Sequence, residues 1–313
     1  MTLLVPEADG VADECRRRLP QATVLSYETV LTEDRDRSKL GDVTFYCLPY
    51  MGDAASVALI GSMPSLAVVQ SQSIGVDELR EAVPDNVTLC SGRDIGHEDG
   101  TADLAVTLIL ASLRRLPRFA ALQAQRTWEH TRTESLAGKR VLLVGYGAIG
   151  AAIEQRLLPF GARITRVSRT ARQGVEPLDR LPALAAHADV LIACIALAPE
   201  TEGLISADIL AALPDGALFV NVARGAIVDT VALASELRRG RLRAALDVID
   251  TEPLPADREE WSLPGVLITP HIGGDTTEFA ARVPAFVADQ AARHLAGEPL
   301  LNVVRAKKPQ SSH

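Results

Sequence analysis

The stretch of sequence that decides the fold is Arg140-Val-Leu-Leu-Val144, which runs directly into Gly145-Tyr-Gly-Ala-Ile-Gly150. The first five residues predict a strand that is apolar on both faces, as is typical of the centre of a parallel sheet. A helical pattern from about 148 to 160 follows at once. Strand, glycine-rich turn and helix in this order are typical of the first half of a dinucleotide-binding unit.

Each glycine of this loop has a physical reason. The first permits a tight turn, the second lets a pyrophosphate approach the backbone, and the third lets the helix pack close to its strand. The first N–H groups of a helix lack intrahelical partners and favour an anion. We therefore predict that the diphosphate of a dinucleotide is bound by Gly145, Gly147, Ala148, Ile149 and Gly150.

Strand patterns recur on both sides of this unit and alternate with helical patterns. They begin near Leu3, Val24, Val43, Leu66 and Val87, and again near Arg163, Val190, Ala217, Ala244 and Val266. This alternation predicts an α/β fold with two Rossmann-like domains, each built on a doubly wound parallel sheet. Thr101 is predicted to cap a long apolar helix over 102–115, and an amphipathic helix is predicted over 284–296.

Composition places the chain among ordinary globular proteins. Its 313 residues are 47% hydrophobic and 23% charged, which is enough for two domains. The formal net charge of -8 argues against nucleic acid as a partner. Four scattered cysteines without a CxxC pair indicate reduced thiols and a cytoplasmic protein. We see no signal peptide, no membrane-spanning run and no metal-ligand spacing, so neither a membrane nor a metal is expected.

The end of the second strand of the dinucleotide unit indicates which cofactor is preferred. An NAD-binding unit usually carries Asp or Glu there, to accept a hydrogen bond from the ribose 2′-hydroxyl. Here that place falls on a hydroxyl followed by guanidinium groups, which suit a 2′-phosphate through charge-assisted hydrogen bonds. The alternative is that the arginines are solvated and the cofactor is NAD. NADP is predicted to be preferred, bound by Ser168, Arg169, Thr170 and Arg172.

Three later segments place polar residues at or just beyond predicted strand ends, where ligands of parallel sheets bind. They are Asn221-Val-Ala-Arg-Gly225, Asp247-Val-Ile-Asp-Thr-Glu-Pro253 and Thr269-Pro-His-Ile-Gly-Gly274. Hydride transfer to a 2-oxo acid needs a cation for the carboxylate, a proton donor for the carbonyl oxygen and a group that keeps the donor protonated. Arg224, His271 and Glu252 are the candidates for these roles, because an adjacent carboxylate favours the imidazolium.

These segments together resemble the D-isomer-specific 2-hydroxyacid dehydrogenase family, and the chain looks similar to its glyoxylate/hydroxypyruvate reductases. The most specific matches are Val144–Gly150, Asn221–Gly225, Ala245–Val248 with Glu252-Pro253, and Thr269–Gly274. The resemblance implies the same three roles for Arg224, Glu252 and His271. It implies further cofactor contacts for Thr201, Val222, Ala223, Asp247, Gly273 and Gly274.

The resemblance also implies where the substrate binds. Ser73-Ile74-Gly75 looks like the family's loop whose backbone N–H groups hold the substrate carboxylate, although a plain strand-to-helix turn is the alternative. Tyr50 and Met51 are predicted to line the wall of the side-chain pocket, and both could equally be core residues. Glyoxylate, hydroxypyruvate, pyruvate and bulkier 2-oxo acids all fit this reading.

The domain order follows from the late position of the glycine loop, which separates this chain from L-lactate and L-malate dehydrogenases. The resemblance implies a discontinuous substrate domain, residues 1–98 and 287–313, into which a cofactor domain, 99–286, is inserted. The apolar helix predicted over 102–115 exceeds what one core requires, which indicates a two-fold homodimer.

Two other functions remain open from the sequence. One is a non-catalytic nucleotide-binding sensor or co-repressor on the same fold, because a fold does not fix a function. The other is a phosphite-type oxidoreductase. A formate dehydrogenase is disfavoured, because its relatives carry Gln where this chain has Glu252.

Overall fold

The computed structural model describes residues 1–32 and 38–307. The chain forms two compact units, Met1–His97 with Gly274–His313 and Glu98–Gly273. The sequence prediction places the second boundary between the domains at 286/287. That position lies inside the helix Thr277–Ala296 and further along the chain than the boundary at 273/274. The end of the predicted segment 287–313, residues 308–313, lies outside the described residues.

The described residues contain thirteen strands and eleven α-helices, with short 3₁₀ turns between them. The strands are β1 (Thr2–Val5), β2 (Thr23–Ser26), β3 (Val43–Cys47), β4 (Val68–Gln70), β5 (Thr88–Cys90), β6 (Arg140–Val144), β7 (Arg163–Ser168), β8 (Glu176–Pro177), β9 (Val190–Ala193), β10 (Leu218–Asn221), β11 (Arg243–Leu246), β12 (Val266–Ile268) and β13 (Val303–Arg305). The helices are Val11–Arg18, Tyr27–Thr32, Ala54–Ala58, Leu79–Ala82, His97–Leu113, Leu116–Ala124, Ala148–Leu157, Leu181–Ala185, Ala207–Ala212, Thr230–Arg238 and Thr277–Ala296.

The first unit is built on a six-stranded sheet in the order β13-β5-β4-β3-β1-β2. All its pairs are parallel except β13 with β5, which is antiparallel. Successive residues of β1 face opposite sides: Leu3 joins a core with the Thr277–Ala296 helix, whereas Leu4 packs with Val30 and Ile60. Burial on both faces explains why the strands are almost uninterrupted runs of apolar residues.

The second unit is built on a seven-stranded parallel sheet in the order β12-β11-β10-β9-β6-β7-β8. Val141 and Leu143 of β6 share a core with the His97–Leu113 helix, whereas Leu142 shares one with the Thr230–Arg238 helix. The chain leaves β6 for β7 on one side and returns to β9 on the other. In open sheets of this kind, ligands bind beyond the carboxyl ends of the strands where the order reverses. The predicted doubly wound α/β class is confirmed.

Two helix starts were predicted wrongly. The long apolar helix begins at His97, so Thr101 lies inside it and is not its N-cap. Gly100 weakens the helical pattern, but Glu98 and Asp99 lie in the first turn, where acidic side chains stabilise a helix. The last long helix begins at Thr277, and Pro284 lies in its interior rather than at its start. Its true N-cap is Thr276, whose hydroxyl accepts a hydrogen bond from the amide of Phe279 (3.1 Å).

No helix in the described ranges, 1–32 and 38–307, combines the length and the apolar character that crossing a membrane requires.

Candidate active site

The glycine loop lies at the reversal point of the seven-stranded sheet, between the ends of β6 and β9. Gly145 has φ +109°, and a Cβ there would lie 2.5 Å from the amide nitrogen of Ile195. Both the backbone angle and the contact therefore require glycine. A side chain at Gly150 would collide with the carbonyl oxygen of Gly145, whereas Gly147 faces open space. The Ala148–Leu157 helix begins directly after Gly147.

The ribose end of the predicted dinucleotide site follows β7. Ser168, the last residue of that strand, is buried, and its hydroxyl donates to the carbonyl oxygen of Thr170 (2.7 Å). Arg169 forms an exposed ion pair with Glu200 (2.8 Å). Arg172 instead reaches back to the glycine loop and donates to the carbonyl oxygen of Tyr146. Binding of a 2′-phosphate by these residues stays a prediction.

Asn221, at the end of β10, fixes the loop that carries Arg224. The Asn221 side chain is fully buried; its amide nitrogen donates to the carbonyl oxygen of Arg224 (2.9 Å), and its amide oxygen accepts from the amide of Ala223 (3.0 Å). A buried amide that satisfies two backbone groups of one loop holds that loop in a single conformation. Sequence reasoning quoted Asn221 only as part of a segment, although a polar residue ending a buried strand is the signal that could have singled it out.

Arg224 lies where its loop meets the chain after β11. A side chain at Gly225 would collide with the backbone of Ile249, so the two segments touch through their main chains. The half-buried Arg224 donates to the carbonyl oxygen of Ala223 (2.7 Å). Its charge also acts on Glu252, because it helps to lower the pKa of that carboxyl group. The structure thus brings Arg224 and Glu252 into one electrostatic cluster.

Asp247 orders the segment that carries His271. The carboxylate of Asp247 is buried and accepts hydrogen bonds from the hydroxyl of Thr269 (2.6 Å) and from the amides of Ile272 (3.0 Å) and Gly273 (2.9 Å). Both of its oxygens are thus bound within the protein, and its predicted contact with the cofactor stays a prediction. Thr269, which sequence reasoning did not assign, shares this role.

His271 is held in a restricted backbone conformation. Its φ of +55° lies in the left-handed region, which is uncommon for residues other than glycine. Its amide donates to the carbonyl oxygens of Asp247 (2.8 Å) and Thr269 (3.0 Å). Such residues persist where the surrounding bonds determine them fully, and they cluster at functional sites.

The His271 ring is paired with the carboxylate of Glu252. Nδ1 of His271 lies 2.6 Å from Oε2 of Glu252, and the two side chains are 26% and 34% exposed. Oε1 of Glu252 accepts from the amide of Ile249 (3.0 Å). Since Nδ1 is occupied by Glu252, Nε2 is the nitrogen that can face a substrate. The pair has the form of an oriented general acid–base group.

The pKa of Glu252 reflects these contacts. Partial burial raises it, but the hydrogen bonds from His271 and from the Ile249 amide, with the charges of His271 and Arg224, outweigh that effect. The pKa is therefore held below its ordinary value of 4.5. Glu252 consequently stays ionised at neutral pH.

The stability of the pair is expected to depend on acidity. Because the pKa of Glu252 in the folded protein lies below 4.5, the ionised carboxylate stabilises the fold fully above about pH 4.5. That contribution is lost as the pH falls through the lower folded value. We therefore expect the free energy of unfolding of the wild type to exceed that of Glu252→Gln at about pH 6, and the gap to shrink at about pH 3.5. Denaturant unfolding measures both. A gap that stays constant with pH would contradict this reading.

Thr201 and four other buried residues complete the set of predicted cofactor residues. The hydroxyl of the fully buried Thr201 donates to the carbonyl oxygen of Ala196 (2.8 Å) and accepts from the amide of Ala198 (2.8 Å). Thr201 therefore shapes its own loop, and whether that loop faces the dinucleotide stays a prediction. A contact with the cofactor also stays a prediction for the buried residues Val222, Ala223, Gly273 and Gly274.

The predicted substrate residues other than Arg224 belong to the first unit. The amide of Ser73 donates to the hydroxyl of Ser71 (3.0 Å), so this group of the predicted anion loop is already bound within the loop. The Tyr50 ring lies against Phe279, with 4.9 Å between centroids. Met51 is 53% exposed, with φ +50°. Ile74 and Gly75 are half-buried, and substrate binding by these residues stays a prediction. In the described part of the chain, no group of three or more His, Cys, Asp or Glu side chains is arranged to hold a metal ion.

Comparison with known proteins identifies the family. The sequence profile of the NAD binding domain of D-isomer specific 2-hydroxyacid dehydrogenases matches residues 106–273. The human glyoxylate reductase/hydroxypyruvate reductase is 30% identical over 291 residues, which cover 88% of this chain and 88% of the human protein. The chain belongs to the D-isomer specific 2-hydroxyacid dehydrogenase family. The resemblance seen in the sequence is thereby confirmed, and so is a nicotinamide dinucleotide as the cofactor.

Two further relatives of this dehydrogenase family member show how the likeness extends. The D-3-phosphoglycerate dehydrogenase of Mycobacterium tuberculosis is 34% identical over 250 residues, or 77% of this chain. That alignment covers only 47% of the mycobacterial protein, so the chain spans about half of its length. The crystal structure of a D-isomer specific 2-hydroxyacid dehydrogenase from Xanthobacter autotrophicus Py2, in complex with NADPH and MES, is 29% identical. It superimposes with a TM-score of 0.79 and covers 97% of both chains.

Proposed function

We propose that this dehydrogenase reduces a small 2-oxo acid to the D-2-hydroxy acid, with NADPH preferred over NADH. The observation that carries the proposal is the pairing of His271 Nδ1 with Glu252 Oε2 at 2.6 Å, in the same electrostatic cluster as Arg224. The name of the human relative supports small substrates such as glyoxylate and hydroxypyruvate. The bound NADPH of the Xanthobacter relative supports the cofactor.

The chemistry of the proposal follows from the side chains. A reduced nicotinamide dinucleotide held at the glycine loop, Gly145–Gly150, would supply a hydride to C2 of the substrate. Arg224 binds the carboxylate and the carbonyl oxygen through its guanidinium group, which donates in a planar fork. His271 gives the proton of Nε2 to the oxygen that becomes the hydroxyl group, and Glu252 stabilises the imidazolium through Nδ1 before that transfer. In the oxidation direction, the same histidine accepts the proton. The Ser73–Gly75 loop is proposed to add N–H groups to the carboxylate, and Tyr50 and Met51 to shape the pocket.

A panel of substrates tests the reaction. Glyoxylate, hydroxypyruvate, pyruvate and bulkier 2-oxo acids are assayed with NADPH and NADH, and phosphite and formate with the oxidised cofactors. Turnover of at least one 2-oxo acid, lost in His271→Ala, is the expected result. Turnover of phosphite alone would favour the phosphite-type oxidoreductase. Nucleotide binding without turnover of any substrate would favour a sensor or co-repressor, and either outcome would overturn the proposal.

The cofactor preference is a separate prediction. We expect kcat/KM for NADPH to exceed that for NADH, because Ser168 replaces the acid that would repel a 2′-phosphate and Arg169 and Arg172 follow it. Steady-state kinetics at saturating 2-oxo acid give the ratio for the wild type. A ratio below unity would contradict the preference for NADPH and would indicate that the two arginines are solvated surface charges.

We also propose a two-fold homodimer formed through the apolar helix of the second unit and the segment that follows it. The next helix, Leu116–Ala124, has no buried residue, and Trp128 behind it is 99% exposed. An exposed apolar surface of this kind is typical of an interaction site. Trp128→Glu is expected to give a monomer by light scattering at micromolar concentration. The control is Val231→Glu, at a 79% exposed residue of the Thr230–Arg238 helix, which packs on the opposite face of the sheet. A monomeric wild type would refute the dimer.

We also propose a cytoplasmic location. The four cysteines form no disulfide bond, as is typical of a protein in a reducing compartment; they are Cys15, Cys47, Cys90 and Cys194.

A further inference from the structure

An aromatic ring in the glycine loop is surrounded by charged groups that the proposed reaction does not use. Tyr146 occupies the position between the first two glycines. Its hydroxyl donates to Glu154, and the guanidinium carbons of Arg166 and Arg172 each lie 5.4 Å from the centre of its ring. All four residues belong to the second unit, and together we call them the Tyr146 cluster.

The buried side of the Tyr146 cluster is rigid. Glu154 is only 4% exposed and forms an ion pair with Arg166, whose Nε donates to it at 2.9 Å. Burial raises the pKa of Glu154, but the hydrogen bonds from Arg166 and Tyr146 outweigh it and hold the pKa below its ordinary value. The carboxylate therefore stays charged and keeps both partners in place. The hydroxyl group of Tyr146 is thus bound to an ion pair whose carboxylate is buried.

The exposed side of the Tyr146 cluster carries a positive charge. Arg172 lies over the ring and donates to the main-chain carbonyl of Tyr146, which accepts a hydrogen bond without cancelling the charge. Its neighbour Arg169 differs, because that guanidinium is paired with the carboxylate of Glu200 at 2.8 Å. Of the two arginines that follow β7, Arg169 is thus offset by a carboxylate, whereas Arg172 is held by the ring and the main-chain carbonyl of Tyr146.

An arginine side chain that is already fixed before binding lowers the entropic cost of binding an anionic ligand. A flexible arginine loses side-chain entropy when it binds a phosphate, whereas one already seated on a ring loses less. The anchored guanidinium follows the strand end where the ribose of a dinucleotide binds in this fold. The only dinucleotide group at that end that needs a cation is a 2′-phosphate.

We propose that Tyr146 is a specificity-determining residue, which positions Arg172 to bind the 2′-phosphate of NADP(H). This inference rests on the proposed function, since it presupposes that the glycine loop holds a nicotinamide dinucleotide. Tyr146 is a positioning residue here: it acts on cofactor selection through Arg172 and takes no part in proton or hydride transfer.

Direct binding tests the inference without turnover. NADPH and NADH are titrated into each variant by nicotinamide fluorescence, and adenosine 2′,5′-bisphosphate and 5′-AMP by calorimetry. Arg172→Ala is expected to weaken NADPH by about 10- to 100-fold and NADH by less than about twofold. Tyr146→Leu is expected to weaken NADPH by about 3- to 10-fold, again with little change for NADH. Arg169→Ala is the matched control, with the smaller effect of the two arginines.

The double variant tests whether Tyr146 acts through Arg172. If Tyr146 acts through Arg172, then adding Tyr146→Leu to Arg172→Ala changes the affinity for NADPH by less than about twofold. Retained NADH binding reports that each variant is folded, and Tyr146→Met replaces the leucine variant if the latter is unstable. Equal weakening of NADPH and NADH by Tyr146→Leu, or additive effects in the double variant, would overturn the inference. A wild type that binds neither nucleotide would instead overturn the proposed function.

Discussion

Replacing His271 by alanine is expected to lower kcat for the reduction of a 2-oxo acid by about 10²- to 10⁴-fold, the usual contribution of a positioned general acid. In the proposed reaction this side chain would supply the proton for the new hydroxyl group, and its Nδ1 is bound to Glu252 at 2.6 Å. Because the substitution leaves the glycine loop intact, the affinity for the cofactor is expected to change by less than about twofold. The decrease in nicotinamide absorbance measures kcat, and fluorescence titration measures the affinity.

Two further variants locate the effect. Glu252→Gln keeps a hydrogen-bonding side chain but removes the charge that favours the imidazolium, so it is expected to fall between the wild type and His271→Ala. His187→Ala changes an exposed histidine away from the site and is expected to leave kcat unchanged. A His271→Ala enzyme with more than about a tenth of the wild-type kcat would show that the proton comes from another group.

Arg224→Gln is expected to lower kcat/KM for the 2-oxo acid by about 10²- to 10³-fold. Removing one partner of a desolvated, hydrogen-bonded charge pair costs about 2–5 kcal/mol, and in the proposed complex the substrate carboxylate would be left without the guanidinium of Arg224. Both KM and kcat are expected to suffer, because the guanidinium both binds the substrate and orients its carbonyl group. Asn221 still fixes the loop in this variant, since it bonds to the backbone of residue 224.

The charge alone is not expected to be enough. Arg224→Lys keeps the positive charge but loses the planar fork, so it should recover only part of the activity. Arg239→Gln is the control, because that side chain is 70% exposed at the end of another helix. An unchanged KM in Arg224→Gln would contradict the role of this residue in substrate binding.

The glycine loop and its sheet could be predicted because their requirements are local. A strand buried on both faces must be apolar throughout, and Gly145 must be glycine since its φ is +109° and the next strand end lies against it. These constraints are written into a few consecutive residues. The same is true of the strand ends that carry Arg224 and His271, where polar residues interrupt apolar runs.

What could not be predicted depends on partners distant in sequence. The helix start at His97 was missed because Gly100 weakens the local pattern, and the packing that overrides it involves the whole sheet face. The short antiparallel β13 has only three residues and is defined by its pairing with β5. The buried bonds of Asp247 and the Tyr146 cluster likewise join segments about 20 or more residues apart, or elements that only the fold brings together.

Transfer of deuterium tests the central claim, that His271, Glu252 and Arg224 serve a hydride transfer to C2 of a 2-oxo acid. NADPH that carries deuterium at both C4 positions of the nicotinamide is incubated with the best 2-oxo acid of the panel, and the product is analysed by NMR and chiral chromatography. The expected product is a D-2-hydroxy acid with one deuterium at C2, formed about 10²- to 10⁴-fold faster by the wild type than by His271→Ala. A product without deuterium at C2, or equal product from both enzymes, would contradict it.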